Sequence, residues 1–205
     1  EGFIPKAATP SVTCKAASDI EKTAEEADAS DAAVKAVISA RDITVNIKDN
    51  EKLDIYYKGK LVLLDYEKAR KKSEKNPYED LAIAELEGHT VGKDEEKTDS
   101  VTIIKKLGKD DAIYGLGDKP GCLNKRGYSY VNWNTDDPAP HVDSFKSLYK
   151  SIPFFIVLGD EYCYGIFADN TYKTTFDFGY ENTDYYFIEH EKGNLDYYFM
   201  PGKDM

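Results

Sequence analysis

The sequence predicts an all-β fold of antiparallel strands with at most short helices, for three reasons. Apolar residues recur at every second position in Ile43, Val45, Ile47; Leu53, Ile55, Tyr57; Val101, Ile103; Tyr162, Tyr164, Ile166; and Phe176, Phe178, Tyr180. That is the period of a strand burying one face. The early runs are separated only by Asp49-Asn50 and by Lys58-Gly59-Lys60. Such spacings suit hairpin turns and leave no room for crossover helices, so sequential strands are expected to meander. Finally, 21 of the 26 Phe, Trp and Tyr residues lie after position 113, so the second part of the chain is expected to supply most of the core.

Three stretches interrupt the strand pattern. Asp19 to Ala33 is rich in Ala and Glu, with Ile20, Ala24 and Ala27 at helical spacing; it reads either as a short helix or as a mobile loop. Asp65 to Lys75 is highly charged and runs into Asn76-Pro77, which suits a short surface helix stopped by the proline or a solvated connection. Gly88 to Ser100 is polar and reads as a long exposed loop. At 205 residues an all-β chain can form one unit, so a single domain over 1–205 is expected, with 1–33 partly irregular.

The formal charge is −11, from 27 Lys plus Arg against 38 Asp plus Glu. A surface of that sign repels phosphate backbones and anionic lipid, so nucleic acid and membranes are not expected partners. No apolar run reaches the ~20 residues of a membrane helix. The start, Glu1-Gly2-Phe3-Ile4-Pro5, lacks the basic-then-apolar pattern of a secretory leader, and the missing initiator Met suits a trimmed chain. Cys14, Cys122 and Cys163 are odd in number and widely spaced. They support neither a disulfide framework nor a zinc site, and fit reduced thiols in a cytoplasm.

Two segments invite a chemical reading. Tyr114-Gly115-Leu116-Gly117-Asp118-Lys119-Pro120-Gly121 resembles a phosphate-cradling loop, but its third glycine comes one place too late for GxGxxG and Pro120 removes an amide donor. A tight turn between strands is the better reading. The second segment, Val131 to Pro140, is a loop by its prolines yet holds the only Trp of the chain, Trp133, beside Asn134, Thr135, Asp136 and Asp137. An indole face next to amide and carboxylate groups suits a pyranose, whose C–H face stacks while its hydroxyls are hydrogen-bonded. The alternative is that Trp133 points inward and anchors the loop while the polar residues make Asx turns, and residue types alone favour it.

Asp136, Asp137, His141 and Asp143 crowd eight positions, but their spacing matches neither an EF-hand nor a helix-borne zinc pair, so no metal is expected. No pair of acids has an assured separation for two-carboxylate glycoside hydrolysis. His89, His141 and His190 read as surface or loop residues rather than general bases. No cofactor is implied.

Three ordered blocks carry a resemblance: YGLGDKPGCLNKRG from Tyr114, WNTDD from Trp133, and LYKSIPFFIVLGDEYCYGIFADNTYKTTFDFG from Leu148 to Gly179. Together they closely resemble glycoside hydrolase family 31, the family of α-glucosidases, α-xylosidases and related enzymes. A weaker similarity covers ITVNIKDNEKLDIYYKGKLVL upstream and Tyr185 to Met200 downstream; residues 1–40 and 65–110 carry no clear family signature. The resemblance implies an N-terminal antiparallel β-sandwich of the galactose mutarotase-like fold, ahead of a (β/α)8 barrel that holds an aspartate nucleophile and an aspartate general acid. That barrel is expected to follow Met205, so no catalytic residue is expected here. The resemblance also implies a sandwich loop that reaches the barrel mouth, with Asp136 at the position of a sugar-binding acid. Trp133 and Asn134 would shape that loop, with Asp137 as a bystander. Asp118, where the family usually has Glu, and the stretch Pro138 to Ser147 depart from the family pattern.

The expected function is that of an accessory domain of a retaining α-glucosidase-like enzyme, inactive alone, packing on the barrel and lending a loop to the site for an α-glucoside. Alternatives are an independent carbohydrate-binding module, with Trp133 and the tyrosines as a stacking platform, and an aldose mutarotase, for which His141 or His190 would have to be the base.

Overall fold

The computed structural model describes residues 12–16, 32–66, 100–136, 138, 140–143 and 145–202. Every regular element among them is a strand, so the all-β expectation holds. The chain divides into two compact units, Glu1–Glu67 and Lys68–Met205. The helix-or-loop candidates at Asp19 and Asp65, and the charged stretch from Gly88, lie almost wholly outside the described residues.

In the first unit, β1 (Val12–Ala16), β2 (Val34–Ala40), β3 (Ile43–Lys48), β4 (Leu53–Tyr57) and β5 (Lys60–Leu64) form one antiparallel sheet in sequence order. The meander read from the short turns is present here. One of its two-residue connections is Lys58-Gly59, with φ of +51° and +79° between the paired Tyr57 and Lys60. Two successive left-handed residues give the twist of a type I′ turn, which matches that of the flanking strands. Ile55, Val62, Leu63 and Leu64 are buried. Lys48 and Asp54 form an ion pair at 2.8 Å with both side chains sealed from solvent.

The second unit holds β6 (Val101–Lys106), β7 (Ala112–Gly115), β8 (Ser129–Asn132), β9 (Phe154–Leu158), β10 (Cys163–Ala168), β11 (Thr174–Asp177), β12 (Tyr185–His190) and β13 (Tyr197–Gly202). They make two four-stranded antiparallel sheets, ordered β13-β10-β9-β7 and β6-β12-β11-β8. Here the meander stops. The chain passes from one sheet to the other between β6 and β7, β7 and β8, β8 and β9, β10 and β11, and β12 and β13, over connections long enough to span the ~10 Å between packed sheets.

Aromatic rings fill the space between these sheets, as the skewed distribution of Phe and Tyr leads one to expect. Phe155 of β9 is fully buried. Its ring lies 6.0 Å from Phe176 of β11, 5.6 Å from Tyr186 of β12 and 4.8 Å from Phe178. Tyr164 of β10 and Tyr186 bring their hydroxyls within 3.3 Å, which satisfies both polar ends inside the core. Lys105 of β6 donates to the Tyr197 hydroxyl of β13 at 3.2 Å.

The alternating runs begin or end slightly off the strands. Tyr162 precedes β10, while Phe178 and Tyr180 follow β11. The chain turns at Gly179, where φ is +84°, and Asp177 fixes the turn by accepting the amides of Tyr180 at 3.0 Å and Glu181 at 3.2 Å. Burial pushes the Asp177 carboxyl above the usual carboxylate range, against those hydrogen bonds. The period-two rule also understates β10 and β12, which are buried on both faces. On the outer side of β10, Gly165 leaves the space that the Phe154 ring occupies: a Cβ there would meet the ring at 2.9 Å.

Candidate functional site

Residues 133–153 connect β8 to β9 and hold most of the predicted site. The segment doubles back on itself. Val131 donates its amide to Lys146 O at 2.8 Å and Thr135 donates to Leu148 O at 3.4 Å, so the outgoing and returning arms lie side by side. Side chains then lock the tip. Thr135 donates its hydroxyl to Trp133 O at 3.1 Å, and Ser147 reaches the same carbonyl. Asn134 Oδ1 accepts from the Ser151 amide at 3.2 Å and from the Ser151 hydroxyl at 2.8 Å. Asn134 thus anchors the loop, across the two arms rather than by a local Asx turn.

Trp133 does not turn inward. Its side chain is 54% exposed, and the reading that favoured a buried anchor is corrected: the arms are already tied by Thr135, Ser147 and Asn134, which leaves the indole on the surface. Asp136 is exposed as well, and its carboxylate accepts the hydroxyl of Tyr149. That bond, with the negative charge beside it, raises the Tyr149 phenol above its usual range. Asp137 lies outside the described residues. Trp133, Asp136 and Tyr149, itself 49% exposed, therefore share one loop: two aromatic rings and a carboxylate held in place by a phenol. Such a set can stack on a sugar ring and hydrogen-bond its hydroxyls.

Sequence reading missed Tyr149 and Ser151. Both stand in the resemblance-bearing block from Leu148, but nothing local ties them to Asp136 or Asn134; only the returning arm does.

The remaining candidates fall apart. His141 is exposed and packs against Phe145, with ring centroids 5.4 Å apart. His190 is sealed inside the second unit at 1% exposure, contrary to the surface reading, because β12 lines the core; there it cannot meet a sugar as a mutarotase base. His89 lies outside the described residues. Among the described residues no three His, Cys, Asp or Glu side chains converge as a metal site. Cys122 is exposed and Cys163 buried, both as thiols.

The glycine segment after β7 is a tight turn with no helix behind it. Gly115, Leu116 and Gly117 all have positive φ, of +131°, +62° and +75°. Lys125 steadies it by donating to Lys119 O at 3.0 Å and Pro120 O at 3.1 Å, and Tyr130 donates to Pro120 O at 2.8 Å. At its tip Asp118 pairs with Lys150 at 2.9 Å on the surface, which holds the Asp118 carboxyl below its usual range. This turn thus abuts the returning arm of the Trp133 loop.

A second surface feature follows from register. Phe155, Val157, Tyr164 and Ile166 face the other sheet, so Tyr114, Phe154, Ile156, Phe167, Tyr198 and Met200 face outward on β13-β10-β9-β7. No outward position of this sheet carries a charged side chain, whereas an antiparallel sheet facing water alternates with polar residues. Tyr198 and Met200 are exposed.

Residues 4–177 match the family described as the glycosyl hydrolase 31 N-terminal galactose mutarotase-like domain. The match takes in residues 4–40 and 65–110, where no family signature is visible by eye. Over 102 residues the chain is 45% identical to alpha-glucosidase 2 of Bacillus thermoamyloliquefaciens, a stretch equal to 50% of this chain and 13% of that enzyme. It is 33% identical over 96 residues to alpha-xylosidase XylQ of Lactiplantibacillus pentosus, covering 47% of this chain and 12% of that enzyme. The solved structure of a dextranase of the same family from Flavobacterium johnsoniae, complexed with isomaltotriose, aligns with a TM-score of 0.63 at 33% identity; it covers 94% of this chain and 19% of that chain. The chain thus spans only a small fraction of the relatives it matches. From the fold and this match along most of its length, the chain belongs to glycoside hydrolase family 31, as an N-terminal galactose mutarotase-like domain.

Proposed function

We propose that this domain serves a retaining α-glucosidase-like enzyme by packing on the catalytic barrel and presenting Asp136 to the sugar. The observation that carries this reading is the Asp136 carboxylate, exposed on a tied loop and oriented by the exposed Tyr149, with the exposed Trp133 on the same loop. An acid so fixed accepts a hydroxyl hydrogen bond without first losing side-chain freedom. The uncharged outer face of the β13-β10-β9-β7 sheet supports the packing, since a neighbouring domain would cover apolar area that water disfavours. The relatives' names, α-glucosidase, α-xylosidase and dextranase, make α-glycosides the substrate class. Two free thiols among the described residues, one of them on the surface, accord with a reducing, cytoplasmic setting.

The test is Asp136→Ala in the whole enzyme. Substrate use falls, chiefly through KM, while the domain's melting temperature stays put; unchanged kinetics on α-glucosides would sink the assignment. The isolated chain releases no glucose from maltose.

The exposure of Trp133 and Tyr149 favours a second reading, an independent sugar-binding module. Saturable heat on titrating the isolated chain with maltose or isomaltose supports the module; no heat leaves the accessory reading.

A further inference from the structure

The edge strands of the second unit differ in how they are covered. Beside β7, the Ile113 amide donates to Asn124 Oδ1 at 3.0 Å and its carbonyl accepts the Lys125 amide at 2.7 Å. Beside β8, the returning arm takes the Val131 amide at Lys146 O, 2.8 Å away. β13 ends its sheet with no such cover among the described residues. None of its residues is buried. Even Tyr197 and Phe199, which face the other sheet, are only half-buried, although Phe199 packs on Tyr164 with ring centroids 5.4 Å apart. On the neighbouring β10 the inward-facing Tyr164 and Ile166 are 2% and 0% exposed. The core is therefore open along β13.

The register shows which backbone groups line that opening. The Asp169 amide donates to Asp196 O at 2.9 Å, so these two residues are a hydrogen-bonded pair at the end of the β10–β13 ladder. Hydrogen-bonded and non-hydrogen-bonded pairs alternate in an antiparallel ladder. Counting on, Tyr198 and Met200 bond to Phe167 and Gly165, whereas Tyr197, Phe199 and Pro201 direct their backbone groups away from β10. The free edge offers the N–H of Tyr197 and Phe199 and the C=O of all three. Pro201 stands where its missing N–H costs the existing ladder nothing.

We infer that β13 pairs with the β13 of a second copy of this chain, antiparallel about a twofold axis at Phe199. An open edge is a template for another strand, and a twofold axis requires that the edge complement itself. This one does. With Phe199 opposite Phe199, each gives its N–H to the other's C=O. Tyr197 then lies opposite Pro201, and each Tyr197 N–H meets a Pro201 C=O. Both donors of the edge are satisfied in both copies, and the proline leaves over only the Tyr197 carbonyl. On the outer face Tyr198 comes opposite Met200. The strand, Tyr-Tyr-Phe-Met-Pro-Gly, carries no charge, so two chains of formal charge −11 meet here without like charges facing one another. Pairing at the edge leaves the outer face of the sheet free, so the inference goes beyond the packing on a barrel and does not depend on it.

The test follows the mass of the isolated chain by sedimentation velocity as its concentration is raised. The native chain passes from one copy to two, and hydrogen exchange at the Tyr197 and Phe199 amides slows in step. Two double variants then probe the register at exposed positions, where substitution leaves the fold intact. Tyr198→Glu with Met200→Glu sets like charges opposite each other and weakens the dimer. Tyr198→Glu with Met200→Lys sets opposite charges in the same places and restores it, so the two variants differ about tenfold or more in Kd. A native chain that stays single up to about 1 mM, or a dimer that both variants hold equally, overturns the inference. So does protection of Tyr197 and Phe199 that arises only in the whole enzyme at the mass of one copy, which assigns the edge to a strand of a neighbouring domain.

Discussion

Tyr149 donates its phenolic hydrogen to Asp136, thirteen residues earlier on the same loop. The carboxylate meets the phenol only because the two arms of the loop run side by side. Tyr149→Phe removes the hydrogen bond but keeps the ring. In the whole enzyme we expect KM for an α-glucoside to rise less than in Asp136→Ala, with melting temperature unchanged. In Asp136→Asn the Tyr149 phenol returns toward its usual range, since the charge that favours its protonated form is gone. NMR titration of the Tyr149 ring checks this; an unmoved titration would show that the pairing is not formed in solution.

The outward face of β13 makes a separate prediction. Met200→Lys adds a charge at an exposed position and leaves the isolated domain folded, with stability within about 0.5 kcal/mol. In the whole enzyme the same change loosens the domain from its neighbour, read as faster proteolysis between domains. Equal proteolysis rates in native and variant enzyme remove this face from the interface.

His190 predicts how stability follows pH. Thr174 Oγ1 has one hydrogen and donates it to Tyr172 O at 2.9 Å. His190 Nδ1, 2.8 Å from that oxygen, then carries the hydrogen of their bond and leaves Nε2 bare and buried. Burial lowers the imidazole's proton affinity in the folded state. The unfolded chain therefore binds the extra proton first, and stability falls as pH drops below the ordinary histidine value of ~6.5. Urea denaturation at pH 7.5 and 5.5 measures the loss, and His190→Gln lessens it. An equal loss in the variant would assign the effect to other groups.

Gly115 separates two kinds of backbone constraint. Its φ of +131° disfavours any side chain, and an added Cβ would lie 2.6 Å from Phe154 O and 2.7 Å from Phe155 Cα. Gly127 shares a positive φ, +81°, but has nothing within 4 Å. Gly127→Ala should cost about 1–3 kcal/mol from conformation alone. Gly115→Ala costs more, because β7 must also move from β9. Comparable denaturation midpoints for the two would refute the close approach.

Much of this was legible in advance. The alternation at Ile43 and Leu53 marked β3 and β4, and Lys58-Gly59 marked their neighbour's turn, because hairpins depend on residues a few positions apart. Sheet membership was not legible. Ile103 pairs with Ile188, and no local pattern fixes which of several apolar strands β6 will join. The site divided in the same way. Asp136 and Asn134 stood out by type and by family resemblance, but the exposure of Trp133 depends on ties made by Ser147 and Ser151 from the far arm.

The exchange of strands between sheets also bears on how the chain is made. Each strand of the first unit finds its partner one hairpin away, or two arms of one connection away, so that sheet can close soon after Leu64 leaves the ribosome. The second unit has no such freedom. Among the described residues β12 is the strand that β6 pairs with, Val101 lying opposite His190, and Lys105 meets Tyr197 across 92 positions. Closing loops of that length delays folding, so β6 waits with an unpaired edge until β12 (Tyr185–His190) has been made. In this strand Lys105 and Lys106 carry charges of the kind that keep waiting edges from finding one another.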